Sequence, residues 1–201
     1  MKLVHHISGA VLSGGKSSRM GSNKAFLDFQ GKPLVLHVLH ALQAVFETTF
    51  IVAPFSEPMH AFGVPVIPDV FPNRGPLGGM HAALIATQTD FVFFAPCDAP
   101  LIRPIHISMI ADAAGNGPAV ASFRNVVQPL LCVLPKHCLP LLEKTLMSED
   151  FSVRHFLEAV GAIQIDIPED GATNTRFPLI NINTPAEYEK MRWMGAQPIY
   201  A

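Results

Sequence analysis

Three short stretches of the chain bring together residue types that handle phosphate and metal. The first is Leu12-Ser13-Gly14-Gly15-Lys16-Ser17-Ser18-Arg19-Met20-Gly21-Ser22-Asn23-Lys24. Its glycines allow backbone N–H groups to turn onto an anion at close range. Lys16, Arg19 and Lys24 put three cations within nine positions, with no acid among them. A triphosphate calls for this mixture of backbone donors and neutralising charge. The spacing is not that of a P-loop, which needs Gly-Lys-Ser/Thr at a fixed interval after its first glycine. Nor is it the dinucleotide fingerprint, which lacks the lysines. On chemistry alone the competing reading is a solvated Gly/Ser loop with incidental basic residues.

The second stretch is Cys97-Asp98-Ala99-Pro100, directly after the apolar run Phe91-Val92-Phe93-Phe94-Ala95. An Asp at the carboxyl end of a buried strand can hold Mg²⁺ through one carboxylate and leave other positions to water and phosphate oxygens. The alternative is a side chain that only caps the turn before Pro100. The third is Pro68-Asp69, followed by Arg74-Gly75-Pro76-Leu77-Gly78-Gly79. An ionised carboxylate can accept paired hydrogen bonds from the N1–H and exocyclic amine of guanine, an edge that cytosine lacks. An ordinary turn residue beside Pro68 is the alternative for Asp69. Near the C-terminus, alternation places Asn181 and Asn183 on one face and Ile180 and Ile182 on the other. Two same-side amides before a helix suit a metal or a phosphate, against the plainer reading that Asn183 serves the turn.

The elements that must position these residues alternate in type. Strands are expected at 7–13, 49–53, 64–67, 91–95, 119–123, 128–134, 163–167 and 177–182. Helices are expected at 33–46, 56–62, 77–87, 104–114, 136–147, 152–159 and 184–193. In 33–46, Leu34, Val38, Leu42 and Val45 recur at spacings of four and three. Thr184, Pro185 and Glu187 form a capping-box pattern. Strands alternating with helices imply an α/β, doubly wound, mostly parallel sheet in three α/β/α layers, whose ligands bind beyond the carboxyl ends of the strands. No repeat or clear linker divides residues 1–201, so one domain is expected.

Composition narrows the class. The chain has 201 residues, 14 Lys+Arg against 16 Asp+Glu, 49% hydrophobic and 15% charged residues. That excludes disorder, and it excludes nucleic-acid binding driven by bulk positive charge. Mean hydropathy is +0.31, yet the most apolar stretches, around 91–96 and 129–135, are far shorter than the ~20 residues of a spanning helix. The N-terminus is a poor signal peptide. Cys97, Cys132 and Cys138 have no framework spacing and read as reduced thiols of a cytoplasmic protein.

The first stretch resembles the opening signature of sugar-nucleotide-type nucleotidyltransferases, and is most similar to that of the molybdenum cofactor guanylyltransferases. That family has Leu-Ala-Gly-Gly, then Arg-Met-Gly, an acidic residue and Lys. Ser13 stands here for the Ala and Asn23 for the acid. Pro-Cys-Asp-x-Pro, Gly-Pro-Leu-Gly-Gly and Asn-x-Asn-Thr-Pro also match family motifs, and the likeness runs from about residue 7 to 193. The resemblance implies transfer of GMP from GTP to molybdenum-molybdopterin, with release of pyrophosphate. Arg19, Lys24 and Asp98 would be catalytic. Leu12, Ser13, Gly14, Gly15, Asp69, Gly75, Pro76 and Leu77 would hold the nucleotide with them. Asn181 and Asn183 would lie on the pterin or metal side, with Asp98 and Asn183 as Mg²⁺ ligands. The nucleotide-binding part would occupy about 1–105 and the pterin-substrate side about 106–201, the latter including 127–131 and Arg154. Partners would be the two substrates and proteins that make or accept the molybdenum cofactor, with no nucleic acid and no membrane. One departure bears on base choice: Ala53 stands where the family often has an Asn. A cytidylyltransferase on the same pterin, a transferase on a sugar or polyol phosphate, and a non-catalytic nucleotide-binding accessory protein are the alternatives. The last would be marked by loss of Lys24 or Asp98, and both are present.

Overall fold

Nine strands and five α-helices organise the computed structural model, which describes residues 4–14, 24–54, 57–71, 74–168, 182, 184 and 186–189. The strands are β1 (Ile7–Leu12), β2 (Asp28–Phe29), β3 (Lys32–Pro33), β4 (Thr49–Ala53), β5 (Val66–Pro68), β6 (Phe91–Pro96), β7 (Ala119–Phe123), β8 (Val126–Pro135) and β9 (Ile163–Asp166). The helices are α1 (Leu34–Gln43), α2 (Pro76–Ala86), α3 (Pro104–Ala113), α4 (Leu139–Leu146) and α5 (Val153–Ala159). Seven strands form one sheet in the order β5-β4-β1-β6-β8-β7-β9, and β2 and β3 form a separate small hairpin. Only β8 runs against the other six strands of the large sheet. The expected mostly parallel, doubly wound architecture is therefore present.

Both faces of the sheet are covered, which is why its strands read as continuous apolar runs. Ile7, Val11, Phe93 and Ala95 point into one core with α1 and α3. Ala10, Leu12, Val92 and Phe94 point into the other with α2 and α4. Phe93 and Phe94 are wholly buried on opposite faces, and truncating either to Ala is expected to cost about 3–5 kcal/mol. The periodicity read from the sequence places α1 correctly, since Leu34, Val38, Leu42 and Val45 are all buried. Gly9 lets that helix lie close on β1: a Cβ there would meet Phe46 Cδ2 at 2.9 Å and Leu42 Cβ at 3.2 Å.

Several elements differ from expectation for local reasons. Residues 136–147 split into a 3₁₀ turn, Lys136–Cys138, and α4, and Glu57–Phe62 is also a 3₁₀ turn. Two hairpins were not foreseen. Gln30 (φ 54°) with Gly31 (φ 79°), and Arg124 (φ 51°) with Asn125 (φ 62°), turn the chain with two left-handed residues each. That geometry matches strand twist in two-residue hairpins, but Gln30 and Arg124 lack the composition that normally announces it. The expected strand at 177–182, but for Ile182, and half of the helix at 184–193 lie outside the described residues. What is described there includes the capping box: Glu187 Oε2 accepts from Thr184 N at 2.9 Å, and Thr184 Oγ1 accepts from Glu187 N at 3.2 Å. Among the described residues, no helix is long and apolar enough to cross a membrane.

Candidate active site

β1 is flanked by β4 on one side and β6 on the other, and all three run parallel. The chain leaves β1 through α1 toward β4 and returns through α2 to β6. The strand order therefore reverses at β1, and a crevice opens beyond the carboxyl ends of β1 and β6, where doubly wound sheets bind ligands. Two backbone bonds fix its floor. Ser13 N donates to Val52 O at 2.8 Å, and Cys97 N donates to Leu12 O at 3.0 Å. Leu12, Ser13, Gly14 and Asp98 thus sit on adjoining strand ends.

Asp98 meets Lys24 here. Lys24 Nζ donates to Asp98 Oδ2 at 3.4 Å, with side-chain exposures of 18% and 15%. Lys24 opens the 3₁₀ turn Lys24–Phe26, which runs into the β2–β3 hairpin. Ile182 N donates to the Asp98 carbonyl at 3.0 Å. Ile182 itself is buried with Phe29 and Leu34 in a small cluster. Ile182 is thereby pinned beside Asp98, although it is remote in sequence.

Burial pushes the Asp98 carboxyl above the usual carboxylate range, Lys24 pulls it back in part, and the charge of Glu187 pushes it up again. Beside it the Cys97 thiol is pushed up to about 12, first by burial and then by the Asp98 charge. Cys97 is therefore no thiolate nucleophile at neutral pH. The buried Ser13 hydroxyl has, among the described residues, no partner beyond that thiol, a weak one. Among the described residues, a carboxylate with one cation beside it and a hydroxyl with only a thiol for partner are what a bound cation and phosphate oxygens would complete. Mg²⁺ commonly takes one or two carboxylates and keeps phosphate oxygens and water for the rest, and Asp98 fits that demand. Among the described residues, no three His, Cys, Asp or Glu side chains cluster as a metal cage.

Asp69 follows β5 at the edge of the sheet. Three strand spacings separate β5 from β6, on the order of 14 Å, so a ligand reaching both must lie across the strand ends. Asp69 Oδ1 accepts from Phe71 N at 2.9 Å. The carboxylate also rests on the first turn of α2, where a Cβ on Gly78 would come 2.7 Å from Oδ1 and 2.9 Å from Phe71 O. Gly75 (φ 60°) turns the chain into α2, and Pro76 takes its first position, where a missing N–H costs nothing. Leu77 is fully buried, so it can offer a ligand only backbone. Ala53 is also buried and has no side-chain group to hydrogen-bond a base. The positions of Gly15, Lys16, Arg19, Asn181 and Asn183 lie outside the described residues.

A family model, the MobA-like NTP transferase domain, matches residues 9–164. The chain belongs to that family. It is 31% identical to a protein of Carboxydothermus hydrogenoformans named "Probable molybdenum cofactor guanylyltransferase", over 94% of this chain and 96% of that one. It is 34% identical to the "Molybdenum cofactor guanylyltransferase" of Vibrio cholerae, over 90% and 88%. In fold it resembles the crystal structure of "Molybdopterin-guanine dinucleotide biosynthesis protein A" from Archaeoglobus fulgidus, with TM-score 0.76, 20% identity and coverage of 93% and 97%. The MobA-like chain is a nucleotidyltransferase, as its relatives are.

Within this MobA-like domain, sequence reasoning separately picked Lys24 for phosphate and Asp98 for metal, and the structure brings the two into contact. It passed over Gly78, whose lack of a side chain admits the Asp69 carboxylate. It also gave Arg74 no role. The Arg74 guanidinium stacks 4.3 Å from the centre of the Phe151 ring, a contact between distant segments that no local pattern announces.

Proposed function

We propose that the enzyme transfers GMP from GTP to the terminal phosphate of molybdenum-molybdopterin, giving the guanine dinucleotide form of the cofactor and pyrophosphate. The observation that carries this reading is the half-buried Lys24–Asp98 pair at the carboxyl ends of β1 and β6, in a chain whose relatives bear that activity in their names. Mg²⁺ held by Asp98, with Asn183 as a second ligand, would neutralise charge on the phosphate oxygens. The first loop, with Ser13, Gly14, Gly15 and Arg19, would cradle the triphosphate. Asp69 would accept from the guanine edge.

The protein has little covalent work to do. A phosphate monoester oxygen is already an anionic nucleophile. It forms the new bond to the α-phosphorus of GTP as the bond to the pyrophosphate oxygen breaks. Lys24 and Arg19 would steady the leaving group's charge, so catalysis is alignment and charge neutralisation. Residues 106–201 would supply the pterin side. There β8 departs from simple pairing: Val120 pairs with Cys132 but the next residue, Ala121, pairs with Gln128. The skipped residues 129–131 make a bulge at the end of β8 nearest the crevice, and bulges of this kind re-aim strands beside active sites. We place the protein in the cytoplasm, where its three buried free thiols stay reduced.

Pyrophosphate release with molybdenum-molybdopterin present, compared between GTP and CTP, tests the reading. Release with GTP at least tenfold faster supports it. Faster release with CTP turns it toward the cytidylyl reaction that Ala53 leaves open, and release only with a sugar or polyol phosphate as acceptor contradicts it.

A further inference from the structure

The connection from β5 to α2 is fastened to a distant part of the chain by one side chain. Arg74 N donates to Phe71 O at 3.3 Å and Phe71 N donates to Asp69 Oδ1 at 2.9 Å, so the Phe71 backbone links Arg74 to Asp69. The Arg74 guanidinium lies 4.3 Å over the Phe151 ring and donates from Nη1 to Ser148 O at 3.3 Å.

The receiving segment, between α4 and α5, is well built. Asp150 N donates to Ser148 Oγ at 3.2 Å, Ser152 N to Asp150 Oδ1 at 2.9 Å, and His155 N to Ser152 Oγ at 3.3 Å at the cap of α5. A planar guanidinium that stacks and hydrogen-bonds at once holds one orientation, which a lysine ammonium does not. Immediately after Arg74 come Gly75 and α2, whose Gly78 touches the Asp69 carboxylate. Displacing Arg74 therefore displaces the helix start on which Asp69 rests.

We infer that Arg74 is a positioning residue: by clamping the β5–α2 connection to Ser148 and Phe151, it holds Asp69 ready for the nucleotide base. The inference rests on the reading that Asp69 meets the base. Preordering of this kind lowers the cost of binding and leaves the chemistry at Asp98 alone. The clamp thus sets affinity for the nucleotide and not the rate of transfer.

The test uses the full-length enzyme and its variants Arg74→Met, Arg74→Lys and Phe151→Leu. Steady-state pyrophosphate release is expected to show KM for GTP raised about fivefold to tenfold in Arg74→Met, with kcat within twofold. Phe151→Leu should act in the same direction, the double variant should be no worse than Arg74→Met alone, and Arg74→Lys should fall between. Amide hydrogen exchange in the free enzyme should speed up over 74–79 in Arg74→Met. Unchanged exchange, an unchanged KM, a loss carried mainly by kcat, or multiplying effects of Arg74 and Phe151 would each overturn the clamp. Asp69→Asn separates the two ideas. If it leaves GTP affinity untouched while Arg74→Met weakens it, the base reading of Asp69 fails and takes this route of action for Arg74 with it; if it weakens GTP binding while Arg74→Met does not, only the clamp fails.

Discussion

Ser8 and Ser13 mark the two ends of β1, both are buried, and their surroundings are opposite. Ser8 Oγ lies 2.9 Å from both Thr87 Oγ1 and Thr89 Oγ1, and those two lie 2.8 Å from each other. Lys136 Nζ closes the group by donating to Thr87 O at 2.6 Å, at the C-terminal end of α2, where a cation also suits the helix dipole. Ser13 Oγ has, among the described residues, only the Cys97 thiol for a partner, and its neighbour Asp98 is ionised only against the cost of burial. One end of the sheet satisfies its polar atoms internally. The other leaves them short of partners among the described residues, the pattern expected where stability is given up for function.

The largest effects should come from the open end. Asp98→Asn is expected to cut turnover at least a thousandfold and yet to stabilise the protein free of ligands. The sign follows from the raised carboxyl. Its stabilising contribution is full below the ordinary carboxylate range and is lost as pH rises through the raised value. Melting curves of the ligand-free enzyme should therefore show Tm falling over that window, and Asp98→Asn should remove that part of the fall, with a Tm at pH 8 higher by a few degrees. A variant less stable than wild type at pH 8 would break the comparison. Lys24→Met is next: about a hundredfold loss in kcat, in line with the removal of one preorganised charge at a transition state, measured by pyrophosphate release.

Smaller changes sharpen the contrast. Gly78→Ala sets a methyl against the Asp69 carboxylate, at 2.7 Å, whereas Gly79→Ala meets only Leu12 and Val52 side chains at 3.4 Å. KM for GTP should rise about tenfold in the first and by less than twofold in the second. The smallest pair is the serines themselves. Ser8→Ala should lose about 1 kcal/mol in denaturant unfolding, because it breaks a satisfied buried network, while Ser13→Ala should lose nothing. Equal losses would show that the two ends do not differ.

The fold was legible because its signals are local. Buried strands such as 49–53 and 119–123 announce themselves as apolar runs, and α1 by its period. The chemistry at each strand end was legible too, since glycines, cations and an Asp before Pro100 have few other uses in combination. The remainder was hidden by distance in the chain. Nothing near Arg74 points to Phe151, nothing near Asp98 points to Ile182, and Arg124 adopts a left-handed conformation that its type disfavours. The β2–β3 hairpin went unread for a similar reason, being too short to show any alternation.

Calorimetric titration of GTP in the presence of Mg²⁺, into wild type and Asp98→Asn, tests the claim that the carboxyl ends of β1 and β6 are built incomplete in order to take a metal-bound nucleotide. Wild type should bind GTP saturably and in a Mg²⁺-dependent way, and Asp98→Asn should bind it at least tenfold more weakly and indifferently to the metal. Equal affinity in the two proteins, with equal response to Mg²⁺, would contradict it.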